Sequence, residues 1–90
     1  MAQAIVDPAE LRRFAGQLRR FNDDLMNQMT ALHGQLVGLG QSWRDKEHEK
    51  FAEEFENTIK VVAHFVEAAN QHIPFLTRKA DRVEEYLQQR

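Results

Sequence analysis

Ninety residues with a formal net charge of −2 and no cysteine make one small domain, 1–90, at the size where a chain buries only about 60–65 % of its unfolded surface and commonly gains stability from a partner. The charge balance excludes a nucleic-acid surface, which needs clustered excess Lys and Arg, and the missing thiols exclude disulfides and cysteine chemistry. No apolar run approaches the ~18 residues of a membrane span, and the start MAQAIVD has neither the basic region nor the apolar core of a cleaved signal.

Residues 1–6 read as a flexible N-terminus. Asp7-Pro8-Ala9-Glu10 then starts a helix with three agreeing signals: an acid at the N-cap, a proline at N1 where its missing N–H costs nothing, and a glutamate at N3 that completes a capping-box pattern. The spacing predicts a helix over about 8–38. Its apolar positions are Leu11, Phe14, Leu18, Phe21, Leu25, Met29, Leu32, Leu36 and Leu39, a three-four seam with one extra step of four between Leu25 and Met29. Gly16 and Gly34 each cost roughly 1 kcal/mol against alanine and are read either as points of close helix approach or as simply tolerated.

The chain's midpoint is Gly38-Leu39-Gly40-Gln41-Ser42-Trp43-Arg44-Asp45, with the turn at 39–44. Two glycines permit φ > 0 and would end the first helix as a C′ glycine does. Ser42 and Asp45 can each cap the following helix, and Asp45, Glu47 and Glu49 suit the positive end of its dipole. Trp43 reads as a plug closing the hairpin's end; an exposed binding aromatic is the other reading.

A second helix is predicted over about 45–88, with the seam His48, Phe51, Phe55, Ile59, Val62, Val66, Ala69, Ile73, Leu76, Ala80, Val83 and Leu87. It also contains a four-four step, between Phe51 and Ile59. Folding the chain about residue 42 opposes residues whose numbers sum to about 84, which sets the two irregular steps against each other. The expected hairpin core is Leu18, Leu25, Met29, Leu32, Phe51, Phe55, Ile59, Val62 and Val66. Beyond Leu76 the second helix should overhang the first and need cover from a second chain. A further stripe, Val61, Phe65, Ala68, His72 and Phe75, makes the helix apolar on two faces, and such a helix needs two neighbours; exposed, each aromatic would forgo about 2–3 kcal/mol. This stripe is the expected dimer interface, against the plainer reading that it widens the core. The architecture is therefore all-α, an antiparallel two-helix hairpin that dimerises into a four-helix bundle. Pro74 should kink the helix, or end it at His72 with a restart beyond.

No arrangement of residues in the chain points to catalysis. A di-iron bundle needs a Glu-x-x-His from each of two helices, whereas only Asp45-x-x-His48 approximates one. His64 and His72 lie two turns apart, too far to share an ion directly, and no serine or glycine-rich loop sits in a plausible site. The expectation is a protein that is not an enzyme, with no cofactor and no metal. Arg12, Arg13, Arg19 and Arg20 are offset by Asp23 and Asp24, so neither nucleic-acid binding nor membrane insertion is expected.

The length, the two-helix reading and the central Trp43-Arg44-Asp45, followed by Phe51 and Phe55, resemble the WXG family, the early-secreted-antigen-like substrates of bacterial type VII secretion. The resemblance implies a non-catalytic dimer, with itself or with a paralogous WXG-like chain, that serves as a secretion substrate or export partner. It would then be cytoplasmic, secreted without a cleaved signal, or both, and contact secretion machinery or an effector. The alternative is a cytosolic adaptor or chaperone for a larger effector. Asp45 stands where the family has glycine. The family's tail signal Tyr-x-x-x-Asp/Glu is met here by Tyr86-Leu87-Gln88-Gln89-Arg90, which ends in arginine.

Overall fold

A computed structural model describes residues 6–88, so all but the last residue of the expected flexible N-terminus lies outside the described residues. The Asp7 carboxylate accepts the backbone N–H of Ala9 at 2.9 Å and of Glu10 at 3.5 Å, with Pro8 at the first helical position. From this cap α1 runs Pro8–Leu39, and after the turn α2 runs Lys46–Gln88. Both bounds fall within one residue of those read from the apolar spacing. The two helices pack side by side as one antiparallel hairpin.

The hairpin is a rod of 68 × 22 × 16 Å. Its thinnest dimension is little more than one helix diameter of about 10–12 Å, so two helices form a single layer that cannot enclose a core. Only a narrow line is fully covered: Ala15, Asn22 and Leu36 on α1, and Val66, Ala69, Ile73 and Ala80 on α2. Three of the seven are alanines, which let the helix axes approach while larger side chains straddle the contact.

Beside the turn His48 meets Leu36, as folding about residue 42 gives; farther out the register departs from it. Asn22 meets Asn70 rather than residue 62, and Arg12 meets Asp81 and Glu84 rather than residue 72, a displacement of two turns or more. Helical side chains lean toward their own N-terminus. In an antiparallel pair those of α1 therefore lean away from the turn and those of α2 toward it, so each α1 residue touches a residue farther along α2; the long Arg12 side chain adds to this. The expected overhang past Leu76 is accordingly corrected. Ala80 is 0 % exposed, and Arg12 Nη2 lies 2.7 Å from both Asp81 Oδ1 and Glu84 Oε1. The first helix itself covers this stretch as far as Glu84, beyond which Leu87 stays 48 % exposed.

Other expectations also need revision. Leu32 and Phe51, placed in the hairpin core by their spacing, are 50 % and 49 % exposed. Of the rest of that set, Val66 is buried and Leu18, Leu25, Met29, Phe55, Ile59 and Val62 are half-buried at the edges of the contact line. α2 passes through Pro74 as one continuous helix, without the stop at His72. At Gly16 and Gly34 an added Cβ would meet nothing within 4 Å, so neither marks a close approach.

Candidate functional site

The turn between the helices is held by side chains rather than by a left-handed glycine. Gly40 has φ −61° and ψ −15°, and no described glycine has positive φ, contrary to the expectation for Gly38 and Gly40. The end of α1 tightens instead. The N–H groups of Gly40, Gln41 and Ser42 donate to the carbonyls of Val37, Gly38 and Leu39 at 3.0–3.2 Å, and the Trp43 N–H also donates to Leu39 at 2.8 Å. The last carbonyls of a helix have no partner within it. Here Arg44 Nε donates to the Gly40 carbonyl at 3.0 Å, and His48 Nε2 lies 3.3 Å from the Leu36 carbonyl. A carbonyl can only accept, so a hydrogen bond here has Nε2 as its donor.

The start of α2 belongs to Asp45 alone, whose Oδ1 accepts the His48 N–H at 3.0 Å. Ser42, the other expected cap, turns back and donates through Oγ to the Leu39 carbonyl at 3.4 Å. The hydrogen bond from the His48 backbone is the main reason the Asp45 carboxyl sits below its ordinary range, with help from the Trp43 side chain and the Glu47 backbone. Trp43 stands edge-on to the His48 ring, centroids 4.9 Å apart at 74°, and is half-buried. Trp43, Arg44, Asp45 and His48 thus form one cluster that ties the two helix ends together. Glycine's freedom is not needed for this turn, and the aspartate supplies a cap that glycine lacks.

Along the rod lies a face that no part of the described chain covers. Phe14, Phe21, Leu32 and Leu39 on α1, and Phe51 and Phe65 on α2, are each 48–54 % exposed. On both helices the exposed residue immediately precedes a residue of the contact line: Phe14 before Ala15, Phe21 before Asn22, Phe65 before Val66. One residue is about 100° of helix rotation. Antiparallel helices are related by a two-fold axis normal to the hairpin's plane, so the same one-residue offset puts both stripes on the same broad side. The result is a continuous apolar strip down the length of the hairpin.

Of the expected dimer stripe, Val61, Phe65, Ala68, His72 and Phe75 are all exposed. Their spacing of four, three, four and three keeps them within about 80° of helix rotation, on a flank of α2 that runs from the open side at Phe65 round toward its back at Phe75.

Among the described residues no group of three or more His, Asp or Glu side chains is placed to hold a metal ion. His33 lies 3.5 Å from Glu56 and stacks on Phe55 at 6.2 Å, a cross-hairpin contact. No described helix is long and apolar enough to cross a membrane.

A layer of two long helices joined by a tryptophan turn, with one face left open, defines a small class of proteins. The model of the WXG100 family, proteins of 100 residues with WXG, matches residues 3–86; the chain belongs to that family. Its fold is similar to crystal structures of a secreted protein, EsxB, from Bacillus anthracis str. Sterne. A point mutant and the wild type each share 25 % identity over 93 % of this chain and 97 % of theirs, with a TM-score of 0.76. A selenomethionine-labelled form shares 24 % identity over 96 % and 98 %, again with a TM-score of 0.76. No curated protein matches the chain.

Proposed function

We propose that this chain pairs through its open apolar face with a second hairpin, a copy of itself or a paralogous WXG chain, and that the resulting four-helix bundle is a non-catalytic substrate or export partner of a type VII-like secretion system. The open face carries the reading. Six large apolar side chains, each about half exposed, would gain roughly 1 kcal/mol apiece on burial, about half of the 1.5–3 kcal/mol for covering such a side chain completely. A second single-layer hairpin is the shape that fits a single-layer hairpin. The expected interface residues Val61, Phe65, Ala68 and His72 flank that strip or extend it around α2. The similarity to EsxB, described as a secreted protein, supports export.

A tagged chain expressed in a host with an intact type VII system should appear in the culture supernatant, and should be retained in cells when the system's ATPase is deleted. Retention in both strains would refute export. A second reading, a bundle that stays in the cell as adaptor for a larger effector, is favoured by the tail: four residues after Tyr86 stands Arg90 where the export signal has an acid. That reading expects retention in both strains and co-purification with one helical partner.

A further inference from the structure

Toward the back of α2, half a rotation from Val66 and about 80° from Phe65, Phe75 is 58 % exposed. The Arg78 guanidinium sits over its ring, 4.7 Å from the centroid, and the His72 ring lies 6.2 Å away, centroid to centroid. Phe75, Arg78, Asp81 and Arg82 line an open groove of about 520 Å³. Three cations, Arg78, Lys79 and Arg82, fall within five residues here.

Their natural counter-charges are engaged by α1, although Asp81 also lines the groove. Asp81 and Glu84 both turn toward α1, where Arg12 holds them at 2.7 Å. Among the described residues Arg78, Lys79 and Arg82 make no ion pair, and neither does Glu85 on the flank of the patch. Arg12 draws both carboxylates toward α1 but balances only one of their two charges, so with Glu85 the patch around the exposed Phe75 keeps a net charge of about +1 on a chain whose net charge is −2. An arginine can stack on an aromatic ring and still pair a carboxylate through its planar fork of donors.

We propose that the Phe75-Arg78-Arg82 groove is a docking site for an acidic peptide segment carrying one apolar anchor, the anchor resting on Phe75 and flanking carboxylates pairing with Arg78, Lys79 and Arg82. Phe75, Arg82 and Arg78 stand about 80°, 100° and 140° of helix rotation from Phe65, so the groove lies beside the pairing strip rather than on it. Its partner is a third chain rather than the second hairpin.

The test uses the full chain and a fluorescein-labelled, glutamate-rich synthetic peptide with a single central phenylalanine. Fluorescence anisotropy should show binding that weakens with added salt. It should weaken about tenfold in R78E/R82E, in Phe75→Ala, and when the peptide's phenylalanine is replaced by serine. R19E/R20E, the same charge reversal on exposed α1 positions, should bind as wild type, and circular dichroism should show all variants equally helical. The proposal is overturned by no binding, by an equal loss in R19E/R20E, or by a peptide whose affinity ignores its phenylalanine. Stronger capture by phosphatidylglycerol vesicles than by the peptide would also overturn it, by making the patch a lipid-facing surface.

Discussion

Asn22 Nδ2 donates to Asn70 Oδ1 at 3.0 Å across the hairpin, and Asn22 is 0 % exposed. Its own Oδ1 is buried with no donor. An orphaned buried acceptor costs about 1–3 kcal/mol, so the pair exacts stability for register: it locks one asparagine of α1 to one position of α2 where the apolar contacts alone would tolerate sliding by a turn. Asn22→Leu, which removes the orphan and keeps the branched shape, is expected to raise the denaturation free energy by about 1 kcal/mol. Urea unfolding followed by circular dichroism measures it. A loss of similar size would mean that Asn22 contributes net stability after all.

Gly16 and Gly34 face open space. Alanine at either position should stabilise the chain by up to about 1 kcal/mol, the helix-propensity difference. Gly40→Ala is expected to give no such gain, because its Cβ would sit 3.1 Å from the Val37 carbonyl oxygen and 3.6 Å from His48 Cε1. Thermal melts of the three single variants compare them directly.

The Asp45 carboxyl is held below its ordinary value by the hydrogen bonds it accepts at the start of α2. A group whose pKa is lower in the folded state contributes stability above its unfolded pKa, about 3.9 for aspartate, and loses it as pH falls through the folded value. Wild-type stability should therefore decline below about pH 4. Asp45→Asn, which keeps a capping oxygen but does not titrate, should decline less over the same range. A pH series of melting temperatures for the two proteins decides it; parallel curves would remove Asp45 from the acid response.

Removing the α1 cap is a simpler loss. Asp7→Ala deletes the acceptor for the Ala9 and Glu10 N–H groups and should cost about 1 kcal/mol. The same urea titration measures it.

The sequence made the helices legible because Asp7-Pro8, the central glycines and the three-four spacing of leucine and phenylalanine are local signals. It did not reveal which flank of each apolar face meets the other helix. Leu18, Phe21, Leu25 and Leu32 look like one seam by spacing, yet the contact line runs through Ala15, Asn22 and Leu36 and leaves Phe21 and Leu32 half exposed. Each apolar face is divided between the partner helix and the open side, and spacing locates only the middle of that face. Asn22 was invisible for a related reason: a polar residue inside an apolar stripe gives no hint that its partner is another asparagine forty-eight positions away. The role of Asp45 as a cap was readable from its type and place. The parts that His48 and Arg44 play at the last carbonyls of α1 depend on reach across the turn, which no spacing rule supplies.

The central claim is that the open face of Phe14, Phe21, Leu32, Leu39, Phe51 and Phe65 is covered by a second hairpin. Light scattering of the purified chain at several concentrations tests it most directly. The expected particle has twice the 10.5 kDa chain mass, and F21D/F65D, which would place two charges in the interface at a cost of several kcal/mol, should reduce it to a single chain. A fully helical particle of 10.5 kDa at every concentration would contradict the claim, because the hairpin would then carry its exposed aromatic strip unaided.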